Sequence, residues 1–148
     1  MTENAKYIKL HSIQLSKVGV LELFIRSNQP PDGSVGIEVL DIPFSVGHTE
    51  FDEENRQIAV MIKVDIGTND DDKEVKHPYS LKVEIIGEFE VGEDFAIEHL
   101  DNWARRNAPL ILMPYLREHV YALTSKCGFK PLILPLVEVP TLTTNCQS

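Results

Sequence analysis

The chain has 148 residues, 43% of them hydrophobic, enough for one domain whose core needs neither a metal nor a disulfide to hold it. Its formal net charge of -9 disfavours nucleic acid and anionic lipid as partners and suits basic ones. The two cysteines, Cys127 and Cys146, form no CxxC pair and no metal-ligand spacing, so they read as free thiols of a reducing compartment.

At the N-terminus, Met1–Leu10 shows no basic stretch followed by an apolar one, and no apolar run approaches the length needed to span a bilayer. A cytoplasmic protein without direct membrane insertion is expected. No linker, repeat or low-complexity tract divides the chain, which predicts a single domain over 1–148 with flexible tails at 1–6 and 143–148.

Two strands of weak pattern come first, over Tyr7–Ile25 and Ser34–Val46, joined by a turn at Asn28-Gln29-Pro30-Pro31-Asp32-Gly33. Gln57–Gly67 is clearer: Ile58, Val60, Ile62, Val64 and Ile66 recur with a strict period of two, the mark of a strand with one buried face. In Tyr79–Val91 the residues Tyr79, Leu81, Val83, Ile85, Gly87, Phe89 and Val91 share one face, while Lys82, Glu84, Glu88 and Glu90 lie on the other and Ile86 breaks the rule. Between these two strands Thr68–Pro78 is a polar loop, and its Asp70-Asp71-Asp72 run reads as a solvated turn because it lacks the later Gly and Glu of a calcium loop. The expected result is a four-stranded antiparallel sheet with one strongly apolar face.

Helix follows Gly92. Phe95, Ile97, Leu100 and Trp103 predict a short amphipathic helix, and Pro109 breaks or restarts the chain after it. A second helix is expected from Leu110 to Cys127, with Leu112, Tyr115, Leu116, His119, Val120 and Leu123 at spacings of three and four, Pro114 near its start and Gly128 as its stop. Lys130–Leu142 then carries Pro131, Pro135 and Pro140, which exclude a regular helix, and its Leu132, Ile133, Leu134, Leu136 and Val137 need a surface to lie on. Strands first and helices after give an α+β protein with helices packed on one face of the sheet.

Catalytic chemistry is missing from this pattern. The five histidines, His11, His48, His77, His99 and His119, show no HExxH or related metal spacing, and His119 sits on an apolar helix face where packing is the simpler role. The glycines are scattered rather than gathered into a phosphate loop. With no converging nucleophile, base and stabiliser, the chain reads as a non-enzyme that uses no cofactor, metal or nucleotide. What remains is apolar surface beyond the needs of one small sheet and two helices, which marks an interaction site or an oligomer interface.

The segment Ala108-Pro109-Leu110-Ile111-Leu112-Met113-Pro114-Tyr115-Leu116-Arg117-Glu118 resembles the helix-entry motif of the SecB chaperone family, which runs roughly C-P-x-I/L-L-F-P-Y-A-R-E. Leu123-Thr124-Ser125 through Gly128-Phe129 is similar to that family's helix end, and Phe129-Lys130-Pro131-Leu132-Ile133-Leu134-Pro135-Leu136-Val137 is similar to its F-P-P-L-N-L-P-P-V. Gly87-Glu88-Phe89 resembles the end of the last strand, so the motifs span Gly87–Val137, and the earlier strands agree in pattern. The resemblance implies a holdase, a homotetramer built as a dimer of dimers, that binds unfolded preproteins or other non-native polypeptides and delivers them to the SecA motor for Sec-dependent export. Export members carry acidic residues in the first and last strands for SecA. Lys17 and Lys82 stand at the nearest positions here, so the SecA contact is the part of the resemblance that these residues do not carry. Some SecB-like proteins instead protect the antitoxin of a toxin–antitoxin pair, and Pro114–Thr124 suits that group too.

On this reading, clients lie in a groove floored by the sheet, at Phe44 and Phe89, and walled by Phe95, Leu100, Trp103 and Met113. The crossover residues Leu132, Leu134 and Leu136 form its other wall. Assembly is expected to use the sheet residues Tyr79 and Leu81 together with Leu112, Leu116, His119, Val120 and Leu123 of the long helix.

Overall fold

The structure, a computed structural model, describes residues 8–38, 42–68 and 77–136. The tails, most of the Thr68–Pro78 loop, Cys146 and the crossover beyond Leu136 lie outside the described residues.

Four strands form one antiparallel sheet: β1 (Ile13–Ser27), β2 (Phe44–His48), β3 (Gln57–Ile66) and β4 (Tyr79–Val91), in the order β1-β4-β3-β2. The period-two faces of β3 and β4 meet in register, Ile58 opposite Phe89, Val60 opposite Gly87, Ile62 opposite Ile85, Val64 opposite Val83 and Ile66 opposite Leu81. Opposed residues of an antiparallel pair point to the same side, so this register gathers the apolar residues onto one face. Helices α1 (Leu100–Arg106), entered through a 3-10 turn at Ile97–His99, and α2 (Ala108–Lys126) contribute Leu100, Trp103, Leu112, Met113, Leu116 and Val120 to the same core. The α+β architecture expected from the chain order is therefore the one observed.

The first two strands are displaced from their expected limits. β1 starts at Ile13 rather than Tyr7 and runs on to Ser27, with register shifts between Leu15 and Lys17 and between Val20 and Glu22. These bulges break the alternation, which is why its sequence shows no clean period. The stretch expected as a strand from Ser34 is irregular as far as it is described, and β2 occupies only Phe44–His48. Asp32 explains part of this, since its side chain accepts from the Ser34 N–H at 2.9 Å and its carbonyl from the Val35 N–H at 3.0 Å, folding the chain into a turn.

The helices also differ at their junction. Regular helix begins at Leu100 rather than Phe95, and Pro109 marks a restart rather than a break within a helix, since it sits in the first turn of α2, where its missing N–H would have had no partner. Pro114, expected near the helix start, lies inside α2 and exposed, so the Leu110 carbonyl loses its helical donor. Gly128 ends the helix as expected. At φ +88° its N–H bonds to the Ser125 carbonyl (3.1 Å) and the next N–H, of Phe129, to the Thr124 carbonyl (3.2 Å). Phe129 thereby turns back into the core, 5.1 Å from the Tyr79 ring. Burial, with a smaller contribution from Cys127, pushes the Tyr79 phenol up to about 12.

Helix and sheet approach most closely at Gly87. A Cβ there would lie 2.5 Å from Leu112 Cδ2 and 3.2 Å from Leu15 Cδ1, and Leu112 is fully buried with no room to retreat. Gly87→Ala should therefore destabilise the fold by about 1–3 kcal/mol, the usual cost of overpacking, read as a lower midpoint in urea unfolding.

Candidate functional site

A cluster of rings closes one end of the sheet. Phe89 meets Trp103 edge-on at 5.0 Å, and the His11 ring stacks on Trp103 at 6.3 Å and tilts against Phe95 at 6.5 Å. His11 is held there because its Nδ1 accepts the Ile13 N–H at 2.9 Å. Nearby, His48 of β2 is tied to Asp101 of α1, Nε2 to Oδ1, at 2.8 Å, and Asp101 also pairs with Arg105 at 3.3 Å. These contacts fix α1 against the sheet edge.

The crossover that follows α2 is anchored by a single side chain. Thr124, fully buried, donates its hydroxyl to the Val120 carbonyl (2.9 Å) and accepts the Leu132 N–H (2.9 Å). Two residues earlier the Lys130 N–H donates to the Val35 carbonyl at 2.8 Å. Past these ties Leu132 and Leu134 are each 4% exposed and Ile133 between them 64%, while Leu136, which an alternating chain would bury with the two leucines, is 85% exposed. Beside it, residues Ser34, Gly36 and Ile37 face Lys130–Ile133 across a cleft of about 290 Å³.

The proposed groove residues thus divide. Phe89, Leu100, Trp103, Met113, Leu132 and Leu134 belong to the core of one chain, Phe44 and Phe95 are half-buried, and Leu136 is open to solvent. Among the interface positions, Tyr79, Leu81, Leu112, Leu116 and Val120 have no exposed surface, because the helix and the sheet cover each other there, so they cannot meet another copy directly. His119 and Leu123 are half-buried on α2. Periodicity placed Ile97 and Tyr115 on apolar helix faces, yet both reach the surface, and it did not single out the other exposed apolar side chains, among them Val20, Leu21, Leu23 and Phe24 on β1 and Ile111 and Tyr121 on α2. Val20 and Leu23 stand opposite Ile85 and Val83 on the helix-covered side, but the helices lie over the inner strands and leave the middle of this edge strand bare. A signal was present in the Val18–Ile25 run, whose apolar residues exceed what one face of a strand can bury.

The open face of the sheet is charged. Lys82 pairs with Glu22 of β1 at 3.2 Å, and that contact holds its ammonium above the usual lysine range, while Lys17 stands opposite Glu88. Both lysines therefore sit among carboxylates. Among the described residues, no group of three or more His, Cys, Asp or Glu side chains is placed to hold a metal ion, and no helix is long and apolar enough to cross a membrane.

Comparison with known proteins places these features. A SecB-like chaperone of Mycobacterium tuberculosis, solved in complex with a ChAD peptide from the HigA1 antitoxin, shares the fold at a TM-score of 0.65 and 20% identity, covering 86% of this chain and 88% of its own. A protein of unknown function from Streptococcus agalactiae aligns at a TM-score of 0.49 and 11% identity, over 83% of this chain and 96% of its own. An uncharacterized protein of Methanocaldococcus jannaschii is 35% identical over 95 residues, which is 64% of this chain, and the chain spans 59% of that relative's length. Residues 6–146 match the family described as preprotein translocase subunit SecB, nearly the whole of the sequence, and the chain belongs to the SecB family.

Proposed function

We propose that the protein is a holdase, which binds extended, non-native polypeptides in the cytoplasm and keeps them competent for Sec-dependent export. The observation that carries this reading is the crossover beside its cleft. Ile133 is presented to solvent between Leu132 and Leu134, which are locked in the core, and Leu136 follows them open to solvent. A folded protein hides the partners such a surface needs, while an unfolded one offers apolar side chains and free backbone together. Each Å² of apolar surface covered contributes roughly 25 cal/mol, and edge backbone adds hydrogen bonds that do not depend on sequence. Phe44 and Phe95 are half-buried elsewhere on the chain, and Leu132, Leu134 and Trp103 belong to the core.

The test is a charge on the exposed positions. Ile133→Asp and Leu136→Asp should change stability by less than about 0.5 kcal/mol, as surface changes do. Each should also weaken suppression of aggregation of an unfolded model client, and the wild-type activity should be the same with ATP or with a chelator present. Full activity of the double variant, or a strict need for ATP, would refute the assignment.

Assembly follows from the same surplus. β1 leaves an edge unpaired within the chain and carries Val20, Leu21, Leu23 and Phe24 exposed, and α2 turns Ile111 and Tyr115 outward four residues apart. Edge pairing through β1 and packing through the outer face of α2 together give a homotetramer, a dimer of dimers. Light scattering at micromolar concentration should report the tetramer, and Leu23→Lys with Phe24→Lys should leave a smaller species. A wild-type monomer would overturn this arrangement.

A second reading, service to one antitoxin, is favoured by the solved relative that holds an antitoxin peptide. Pulldown from native cytosol separates the two: many preproteins, with or without SecA, support the export role, and a single antitoxin supports the dedicated one. The pairing of Lys82 with Glu22 bears on SecA, since it removes free negative charge from the sheet face that a basic partner would use.

A further inference from the structure

Past the end of α2 the backbone hydrogen bonds thin out quickly. The Phe129 N–H meets the Thr124 carbonyl at 3.2 Å, and the Lys130 N–H meets the Val35 carbonyl at 2.8 Å. Pro131 has no N–H to give. The next donor, Leu132, meets the Thr124 hydroxyl at 2.9 Å, and among the described residues no backbone hydrogen bond follows it. Thr124 has no exposed surface, and its hydroxyl is engaged on both sides. Its hydrogen points to the Val120 carbonyl at 2.9 Å and the Tyr121 carbonyl at 3.1 Å, and a lone pair accepts Leu132.

Side-chain type does not decide which way this segment faces. Leu132, Ile133 and Leu134 are all large and apolar, and burying one gains about as much as burying another. In a sheet the ladder of bonds fixes the register, and a slip of one residue exchanges the two faces. Here one side-chain oxygen stands where the ladder would be. We propose that Thr124 is a positioning residue for client binding, whose hydroxyl pins Leu132 inward and so keeps Ile133 as the side chain presented between the two buried leucines. This deepens the holdase reading and rests on it. Thr124 is buried and touches no client, so it acts through Ile133. Without the hydroxyl the Leu132 N–H is left in the core with no acceptor, and the segment must lift or turn to reach water. Ile133 is then presented for only a fraction of the time, and the apparent affinity falls by that fraction.

The experiment uses the full-length protein with Thr124→Val, which keeps the shape and loses the hydroxyl, and Thr124→Ser, which keeps the hydroxyl. Each is made alone and with Ile133→Asp. One readout is amide exchange by NMR, and the other is the dissociation constant for a fluorescent model protein held unfolded by reduction and alkylation. The Leu132 amide should exchange slowly in the wild type and in Thr124→Ser and fast in Thr124→Val. Thr124→Val should weaken client binding about threefold to tenfold, the factor that one hydrogen bond supplies, and Thr124→Ser should restore it. In the Ile133→Asp background Thr124→Val should cost nothing further, because no presented isoleucine remains to be misplaced. Additive losses, or wild-type affinity in Thr124→Val, overturn the positioning role and leave the holdase reading standing. A wild-type Leu132 amide that exchanges as fast as that of Ile133 also overturns it, whether or not Thr124→Val folds. Failure of the wild type to bind the unfolded protein overturns both.

Discussion

Everything in this molecule depends on two strands sharing one apolar face. β3 and β4 are antiparallel neighbours whose inward residues oppose each other in every second row, from Ile58 and Phe89 to Ile66 and Leu81. Neither strand can slip by one residue without turning its whole apolar set towards water, so the register is set as firmly as the pattern. The helices read that surface. Leu112 settles over Gly87, the one place in β4 where the sheet has no side chain, and this contact sets the height and position of α2. Because α2 is centred on the inner strands and α1 is tied to β2, the middle of β1 stays uncovered, and the surfaces open to other molecules are those the helices do not reach.

The link from the core to the exposed crossover runs through the end of α2. Gly128 in the left-handed region stops the helix, Phe129 returns to the core against Tyr79, and Thr124 reaches from the last turn to hold Leu132. Pro131 and Pro135 supply no N–H, so this extended segment has fewer donors with which to join the sheet as a fifth strand. A rigid element thus carries an extended segment that remains outside the sheet, with Leu132 and Leu134 buried and Ile133 presented.

How much of this the sequence reveals follows from the physics of each part. β3 and β4 were legible to within a residue because one face is buried and the other wet, so period two is written in full. β1 was blurred by its two bulges, and the residues after Asp32 formed a turn where β-branched residues suggested a strand. The stop at Gly128 was readable from residue type alone. The site was harder. Apolar type identifies which side chains seek cover but not which find it, so Leu132 and Leu134 could not be told from Ile133 and Leu136 without knowing which side of the crossover meets α2. The same gap put Leu112, Leu116 and Val120 at an interface when a single chain already buries them. Motif similarity carried the family, which composition alone leaves open, and the match over residues 6–146 agrees with it.

The strand order has a consequence for synthesis. β1 is made first, yet its neighbour in the sheet is β4, with Ile13 against Val91 and Ser27 against Tyr79. A chain emerging from the ribosome therefore exposes its longest strand, with Val20, Leu21, Leu23 and Phe24, until the residues of β4 have followed it out. Loop closure over that separation comes late compared with the β3–β4 hairpin, which needs only neighbours in sequence. During that interval the nascent protein presents an extended apolar segment with no partner strand, and it has to stay out of other contacts until β4 arrives.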